Sequence, residues 1–240
     1  MPYLVFKRTI DVVVSCLALI LLSPLLVPLM LALKLTGEGD IFYRQRRLGL
    51  RNKVFSILKF ATMLRDSASM LGGEITLRGD PRITPLGHFL RQTKINELPQ
   101  LWNVFRGEMS LVGPRPIMQI SFEMYTAEVQ KIVFNSKPGL TGIASLVFRD
   151  EEALVTASGV DPRQFYQTVV YPYKGQLESW YQAHKSLLTD MSILFLTPFY
   201  LFFPHSRLVF TMFPDLPNPP AVIVALHSQS DHGTPLKRRA

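Results

Sequence analysis

The stretch VVVSCLALILLSPLLVPLMLAL, residues 12–33, runs for 22 positions without a charged residue. As one straight helix it reaches roughly 33 Å, enough to cross a hydrocarbon core of about 30 Å. A plain transmembrane anchor satisfies that length. A cleavable signal peptide fits less well, because the run is long and no small-residue cleavage pattern follows it. Two features favour a re-entrant hairpin. Ser23-Pro24 lies at the middle of the run, with Pro28 one turn on. Proline lacks the amide proton and clashes with the preceding turn, so the helix is expected to break there. Each half then reaches only about 15 Å, half of the bilayer core. The second feature is charge: Lys7-Arg8 precede the run, and Lys34, Arg44, Arg46 and Arg47 follow it. Basic residues prefer the cytoplasmic side, so a single span should be asymmetric. A helix that enters, breaks at Ser23-Pro24 and returns keeps both flanks in the cytoplasm.

The same charge pattern runs outward into the rest of the chain. The 240 residues carry 26 Lys+Arg against 18 Asp+Glu, a net charge of +8. Six of those eight charges arise within residues 1–66, around the most apolar segment. Basic charge that brackets an apolar run points to an anionic membrane surface. No nucleic-acid motif accompanies it, so a nucleic-acid partner is not expected. Cys16 is the single cysteine and lies inside the run, so no intramolecular disulfide forms. There is no internal repeat, P-loop, dinucleotide-binding glycine pattern or zinc-ligand spacing.

Beyond the run, Val54-Phe55-Ser56-Ile57-Leu58 is rich in strand formers and Gly49 with Asn52 marks turns, which predicts short strands or a hairpin within residues 41–63. Residues 64–83 read as loop. Thr84-Pro85 opens a helix with a hydroxyl cap and a proline in the first turn. Farther on, KPGLTGIASLVFRDEE (residues 137–152) combines a Pro-Gly turn, a short β-prone run and an acidic run that reads as a solvated face, with Arg149 a candidate phosphate ligand. The apolar MSILFLTPFYLFF (residues 191–203) is too short to span and reads as an interfacial or partly buried helix. The tail is rich in Pro, Ser and His, which predicts disorder after about residue 226.

The most informative stretch is TKINELPQLWNVFRGEMSLVGPRP, residues 93–116. Leu98, Leu101, Trp102 and Phe105 recur at helical spacing and predict one buried face. Asn96 is a candidate N-cap, Pro99 suits the first turn and Gly107 the termination. Asn96 and Glu97 then sit at a helix N-terminus, where unpaired amides favour an anion. The same residues read equally well as a cap and a first-turn acid. In Gly113-Pro114-Arg115-Pro116 two prolines stiffen the backbone around one guanidinium, a group that binds phosphate in a bidentate manner. The alternative is a surface turn with a solvated arginine.

The order of these motifs resembles the bacterial sugar transferases, the monotopic phosphoglycosyl transferases. The resemblance runs from Lys7-Arg8-x-x-Asp11 through Ser23-Pro24, FYRQRRLG, KFATM and NELPQLWNVFRGEMSLVGPRP to KPGLTG, covering residues 7 to about 149, with a weaker echo at Ser186 to Asp190. It implies transfer of a sugar 1-phosphate from a UDP-sugar to a polyprenyl (undecaprenyl) phosphate with Mg²⁺, releasing UMP, as the initiating step of exopolysaccharide, capsule, O-antigen or glycoconjugate synthesis. It further implies the bacterial inner membrane, with the catalytic domain on the cytoplasmic face, and association with itself or with downstream glycosyltransferases. In such proteins an Asp-Glu pair stands where this chain has Asn96-Glu97. The Asp attacks the sugar-proximal phosphorus, and the Glu supports the metal or the nucleophile. By the same resemblance Arg91 and Arg115 are expected to hold the phosphates, with Lys59 and Arg149 weaker candidates.

Asn96 departs from that pattern, since a neutral amide cannot be a carboxylate nucleophile. Four accounts follow: Glu97 takes over, the acceptor phosphate attacks directly, a carboxylate from Asp150, Glu151 or Glu152 enters the site, or the chain is a disabled homologue that binds or regulates at the membrane. Ala61, where an arginine is usual in KFRTM, and Lys137, where an arginine is common, are lesser departures. The expected architecture is α+β and mainly helical: a re-entrant hairpin (residues 1–36), a membrane-surface catalytic domain with short β elements and amphipathic interfacial helices (37–213), and a largely disordered tail (214–240). Such a chain should stay with membranes through a high-salt wash and leave them only in detergent, and release by salt alone would contradict the embedded helix.

Overall fold

The apolar run folds as one helix, α1 (Pro2–Leu35), in the computed structural model, which describes residues 2–36, 38–67, 79–203 and 206–224. The break expected at Ser23-Pro24 is absent, because helical structure continues through Pro24 and Pro28. Pro24 removes the amide that would bond the Ile20 carbonyl, and the Ser23 hydroxyl donates to that carbonyl instead, at 2.7 Å. The two halves are thus one element about 51 Å long.

α1 is docked on the rest of the chain along its whole length. Near its start, Arg8 donates to the Val104 and Phe105 carbonyls, both at 2.7 Å. These carbonyls lie in the last turn of the helix that spans Gln100–Arg106, where a cation also meets the negative end of the helix. Lys7 donates to the Val112 carbonyl at 2.8 Å and to Asp190 at 2.6 Å. Asp190 also accepts from Tyr3 and Tyr181. Asp11 is buried and accepts from the Leu111 amide at 2.8 Å and the Ser110 hydroxyl at 3.1 Å. Midway, Ile10, Ala18, Leu19 and Leu22 pack on the main core. At the far end Leu26 and Leu33 pack with Phe60 and Leu90. The opposite face leaves Leu4, Phe6, Leu17, Leu21, Leu25 and Leu31 exposed.

Strands β1 (Phe42–Leu48) and β2 (Val54–Phe60) pair antiparallel from Phe42↔Phe60 to Leu48↔Val54, the hairpin that the sequence predicts. Helix α2 (Pro85–Gln92) starts as expected, with Thr84 accepting from the Gly87 amide at 3.0 Å and Pro85 in its first turn. Of the loop expected at 64–83, residues 68–78 lie outside the described residues. A 3₁₀ turn, Ile95–Glu97, then leads to α3 (Gln100–Arg106). Asn96 therefore does not cap α3: the residue before the helix is Pro99, one turn later than expected. Gly107 ends α3 at φ +83°, the left-handed conformation that glycine adopts without strain. The buried face of α3 is Leu101 and Val104. Trp102 is exposed and stacks on Phe105 with ring centroids 5.6 Å apart, so the apolar spacing overstated the buried stripe.

Strand β3 (Ser110–Val112) runs parallel to β4 (Gly139–Thr141), and α4 (Gln119–Phe122) and α5 (Ala127–Ile132) lie between them in the chain. Gly113 is needed at the end of β3, because a Cβ there would lie 2.3 Å from the Lys137 carbonyl oxygen. That close approach ties the Gly113-Pro114-Arg115-Pro116 segment to β4 through Gly113 N to the Thr141 carbonyl, 3.0 Å, and Gly139 N to the Pro114 carbonyl, 2.9 Å. The β-prone run after β4 is helical, α6 (Ile143–Val147), because Ile143, Ala144 and Leu146 all enter the main core.

Three further helices follow: α7 (Glu151–Ala157), α8 (Pro162–Phe165) and, across a π turn at Tyr166–Val170, α9 (Tyr171–His184). The last two are α10 (Leu187–Phe202) and α11 (Leu208–Met212). Tyr173, Leu177 and Tyr181 from α9 and Ile193 and Leu196 from α10 fill the centre of the core. As expected, α10 is partly buried, with Phe195 and Phe202 exposed on its other side. The chain stays packed past residue 213: Leu216 and Ile223 are buried, the Trp180 indole donates to Asp215, and the Tyr173 hydroxyl donates to the Pro217 carbonyl. The disorder expected after about residue 226 falls outside the described residues.

Asp190 is 3% exposed and Lys7 11%, so removing one charge strands the other in the interior. Lys7→Met should cost about 3 kcal/mol, read as a lower unfolding temperature in detergent, and Asp190→Asn in the same chain should recover most of it.

Candidate functional site

A cavity of about 990 Å³ opens between the 3₁₀ turn at Ile95–Glu97, the Gly113–Pro116 segment, the start of α7 and the inner faces of α9 and α10. That volume lies at the upper end of what small-molecule sites occupy. Glu97, Arg91, Arg115 and Arg149 line it. Lys59 and Asn96 do not.

Glu97 is the best-anchored group there. Lys94, in the left-handed conformation at φ 60°, turns the chain so that Glu97 ends the 3₁₀ turn. Its Oε1 accepts from the Lys59 ammonium at 2.9 Å and from the Arg115 guanidinium at 2.8 Å. Burial works against its charge, but Arg115 and Lys59 overcome that and hold the carboxyl well below the usual carboxylate range. Lys59 is the penultimate residue of β2. Burial pulls its ammonium down to about 8, with Arg115 and Arg47 adding to the effect and Glu97 opposing it. Arg115 keeps 42% of its side chain exposed, so its guanidinium borders both Glu97 and open cavity.

The other sequence-derived residues divide. Arg91 ends α2 and donates to Glu152 at 2.9 Å. Arg149 follows α6, and its buried Nη1 has no hydrogen-bond partner among the described residues. Asn96 is 7% exposed and its Oδ1 is buried without a partner among the described residues. The structure therefore brings Glu97, Lys59 and Arg115 into direct contact, places Arg91 and Arg149 on the same wall, and leaves Asn96 behind it. The acidic run after Arg149 is not a solvated face. Glu151 accepts from Lys174 at 2.7 Å and lines the cavity, and Asp150 caps α7 through the Ala153 amide.

Sequence reading missed Lys174 and Glu178 of α9, which enter the cavity one turn apart. Glu178 is 2% exposed. Its Oε1 accepts from the Arg115 amide at 3.3 Å and its Oε2 is buried with no partner among the described residues. Burial pushes its carboxyl up to about 8. The signal was present in YPYKGQLESWY: Tyr171, Lys174, Glu178 and Tyr181 share one helical face, an acid and a base on a stripe that is otherwise aromatic.

Magnesium is bound through oxygen, commonly by one or two carboxylates together with substrate phosphates and water. Among the described residues no three His, Cys, Asp or Glu side chains cluster as a ready-made metal site. Glu97 lines the cavity, so the donor set suits an ion held by one protein carboxylate and by substrate phosphate.

Comparison with known proteins is consistent across the chain. The family model described as bacterial sugar transferase matches residues 2–204. The UDP-galactose-lipid carrier transferase of Erwinia amylovora is 38% identical over 205 residues, 80% of this chain and 39% of that protein. The exopolysaccharide production protein ExoY of Sinorhizobium fredii is 35% identical over 205 residues, 80% of this chain and 83% of that protein. The UDP-glucose:undecaprenyl-phosphate glucose-1-phosphate transferase of Caulobacter vibrioides is 42% identical over 144 residues, 58% of this chain and 53% of that protein. The chain thus spans about two-fifths of the Erwinia relative and most of ExoY.

A carboxyl raised to about 8 in the fold but ordinary in the unfolded chain binds its proton more tightly when folded, so its contribution to stability falls as pH rises from about 4.5 to 8. Glu178→Gln removes that loss. The unfolding temperature of the variant relative to the parent should therefore be flat below pH 4, rise through pH 8 and level off above it.

Proposed function

Because this chain belongs to the bacterial sugar transferase family, we propose that it transfers a sugar 1-phosphate from a UDP-sugar to a polyprenyl phosphate, releasing UMP. The observation that carries the reading is the Lys59–Glu97–Arg115 cluster at the edge of a cavity of about 990 Å³. A carboxylate held between two cations occupies the kind of position that a diphosphate takes, and the diphosphate competes for the same donors.

In this reading Arg115 and Arg149, which both line the cavity, bind the diphosphate, Arg115 from a segment stiffened by two prolines. Lys59 keeps Glu97 ionised and oriented. Glu97 would hold Mg²⁺, and the ion when bound would neutralise charge on the phosphates. Phosphoryl transfer depends largely on such positioning and charge neutralisation. The acceptor phosphate oxygen bonds to the sugar-proximal phosphorus, the bond from that phosphorus to the bridging oxygen breaks, and UMP leaves with that oxygen and its electron pair. Asn96 is a neutral amide and cannot supply the attacking carboxylate. Direct attack therefore fits this chain better than a covalent enzyme carried by residue 96.

The way α1 is docked supports a membrane placement. Both ends of an element about 51 Å long rest on the same body, through Lys7 at one end and Leu33 at the other. A perpendicular span would drag that body, with its charged cavity, into hydrocarbon. We therefore place α1 within one leaflet, its exposed apolar face toward lipid and both basic flanks on the cytoplasmic side of the inner membrane. A disabled homologue that binds nucleotide-sugar is the second reading, and the amide at Asn96 is what favours it.

Membranes containing the chain should release UMP from at least one UDP-sugar, dependent on Mg²⁺ and polyprenyl phosphate, and Glu97→Gln should slow release by at least about a hundredfold. Well-folded protein that releases no UMP from a broad UDP-sugar panel would remove the proposal. Asn96→Asp separates the two readings: a gain in a silent chain marks a disabled enzyme, whereas a fall in an active one marks direct transfer. Radiolabel from the sugar phosphate should not become covalently attached, and a label on Glu97 would overturn direct attack.

A further inference from the structure

One stretch of the cavity wall is not used by the reaction above, the π turn Tyr166–Val170 between α8 and α9. Of the aromatic side chains that line the cavity, Tyr125, Phe148, Tyr171 and Tyr200 are buried. Tyr166 is only half-buried, so among the described residues it is the cavity aromatic with ring surface to offer a ligand. The backbone explains its place. The Tyr171 amide donates to the Tyr166 carbonyl five residues back, which is the hydrogen bond of a π turn. In an α-helix five residues advance by about 500°, which would leave the two tyrosines about 140° apart. The wider turn brings them onto one face instead, with ring centroids 5.8 Å apart. Tyr171 is held in turn by Tyr125, edge-to-face at 5.4 Å. The Tyr166 hydroxyl faces the Glu151 carboxylate, which accepts from Lys174 at 2.7 Å. The ring also packs where the main core meets the cluster of Phe122, Val133 and Phe134. Its inner side is therefore fixed before any ligand arrives. Single π turns of this kind recur at functional sites.

We propose that the open side of the Tyr166 ring is the stacking platform for the pyrimidine ring of the UDP-sugar, which makes Tyr166 a specificity-determining residue for the nucleotide. The inference rests on the transferase reading above and adds to it the place of the base. Three observations carry it. A pyrimidine is flat and presents a π face, and stacking of such a ring on an aromatic side chain is favourable. The tyrosine is held on its inner side by Tyr171 and the core, so little freedom is lost when a ligand docks on it. Finally, Glu151 lies within electrostatic reach of both Tyr166 and Arg115. The platform therefore adjoins the cation that receives the diphosphate, as the single ribose between base and phosphate requires.

The test uses two inhibitors, UMP, which carries the base, and pyrophosphate, which does not. Purified full-length chain in detergent, with Mg²⁺ in excess, is assayed for transfer of radiolabelled sugar phosphate from the UDP-sugar it accepts to polyprenyl phosphate. Tyr166→Leu, which removes the ring, should weaken inhibition by UMP about tenfold and leave inhibition by pyrophosphate unchanged. Tyr166→Phe, which keeps the ring and loses only the hydroxyl, should stay within about twofold of the parent. In Tyr166→Trp, UMP but not pyrophosphate should quench the added indole fluorescence. Equal weakening of both inhibitors in Tyr166→Leu overturns the inference, because the change then acts through the phosphate site. So does a rise in KM for the UDP-sugar with UMP inhibition intact, which puts the ring against the transferred sugar. Tyr166→Phe as damaging as Tyr166→Leu assigns the effect to the hydroxyl and overturns it too. If Tyr166→Leu does not fold, the quenching of Tyr166→Trp decides alone, and quenching by neither inhibitor counts against the platform. A parent chain that transfers from no UDP-sugar fails at the transferase reading itself. A parent that does transfer, but whose Tyr166→Leu variant is inhibited by UMP as before, fails only at this inference.

Discussion

Arg8 closes the C-terminal end of α3 with both arms of its guanidinium, and most of the architecture depends on that docking. With Lys7 on Val112 and Asp190, and Asp11 on Ser110 and Leu111, three side chains of one helical turn fasten α1 to α3, β3 and α10. The partners are buried backbone groups and a buried carboxylate, each of which would be costly to leave unpaired. The apolar helix is therefore not an anchor tethered to a separate domain. It is one wall of that domain, and its outer face remains exposed and apolar.

The same docking places the chemistry. β3 is held at its start by Asp11, and at its end Gly113 presses against the start of β4, closely enough that no Cβ fits. Arg115 follows immediately, fixed between two prolines. From there its guanidinium reaches Glu97 and its amide reaches Glu178. A chain of short contacts thus runs from the membrane helix through a two-stranded parallel pair to the acids of the cavity. The two acids are opposite in character for physical reasons. Glu97 has two cations on one oxygen and stays ionised, whereas Glu178 has only a backbone amide and is kept protonated by burial.

Asn96 gains meaning from the same geometry. Asn and Asp serve local turns about equally well, so the substitution leaves the fold undisturbed. Its side chain is buried, and the charge of the site resides one residue on, at Glu97. The family to which the chain belongs thus supplies the frame, and the distribution of charge in this member calls for its own account of the reaction.

The sequence by itself determined the apolar helix, the β1–β2 hairpin, the Thr84-Pro85 helix start, the Gly107 stop and the candidacy of Glu97 and Arg115, whereas Arg91 entered only through the family resemblance. Each of these is set by local chemistry: hydrophobic run length, strand formers flanking a turn, a capping hydroxyl, a left-handed glycine, charged residues beside rigid backbone. What only the tertiary structure decided is whatever depends on a partner far along the chain. Helix α1 runs unbroken past Pro24 because Ser23 replaces a lost hydrogen bond and the body supports the helix on both sides of it. Trp102 stays exposed because α3 turns Leu101 and Val104 inward. Residues 143–147 become helical because their apolar side chains are needed in the core. Lys174 and Glu178 join the site from a helix more than 50 residues beyond Arg115, by a fold of the chain that no local spacing encodes. Local patterns fix which conformations a segment can adopt, and long-range burial and pairing choose among them.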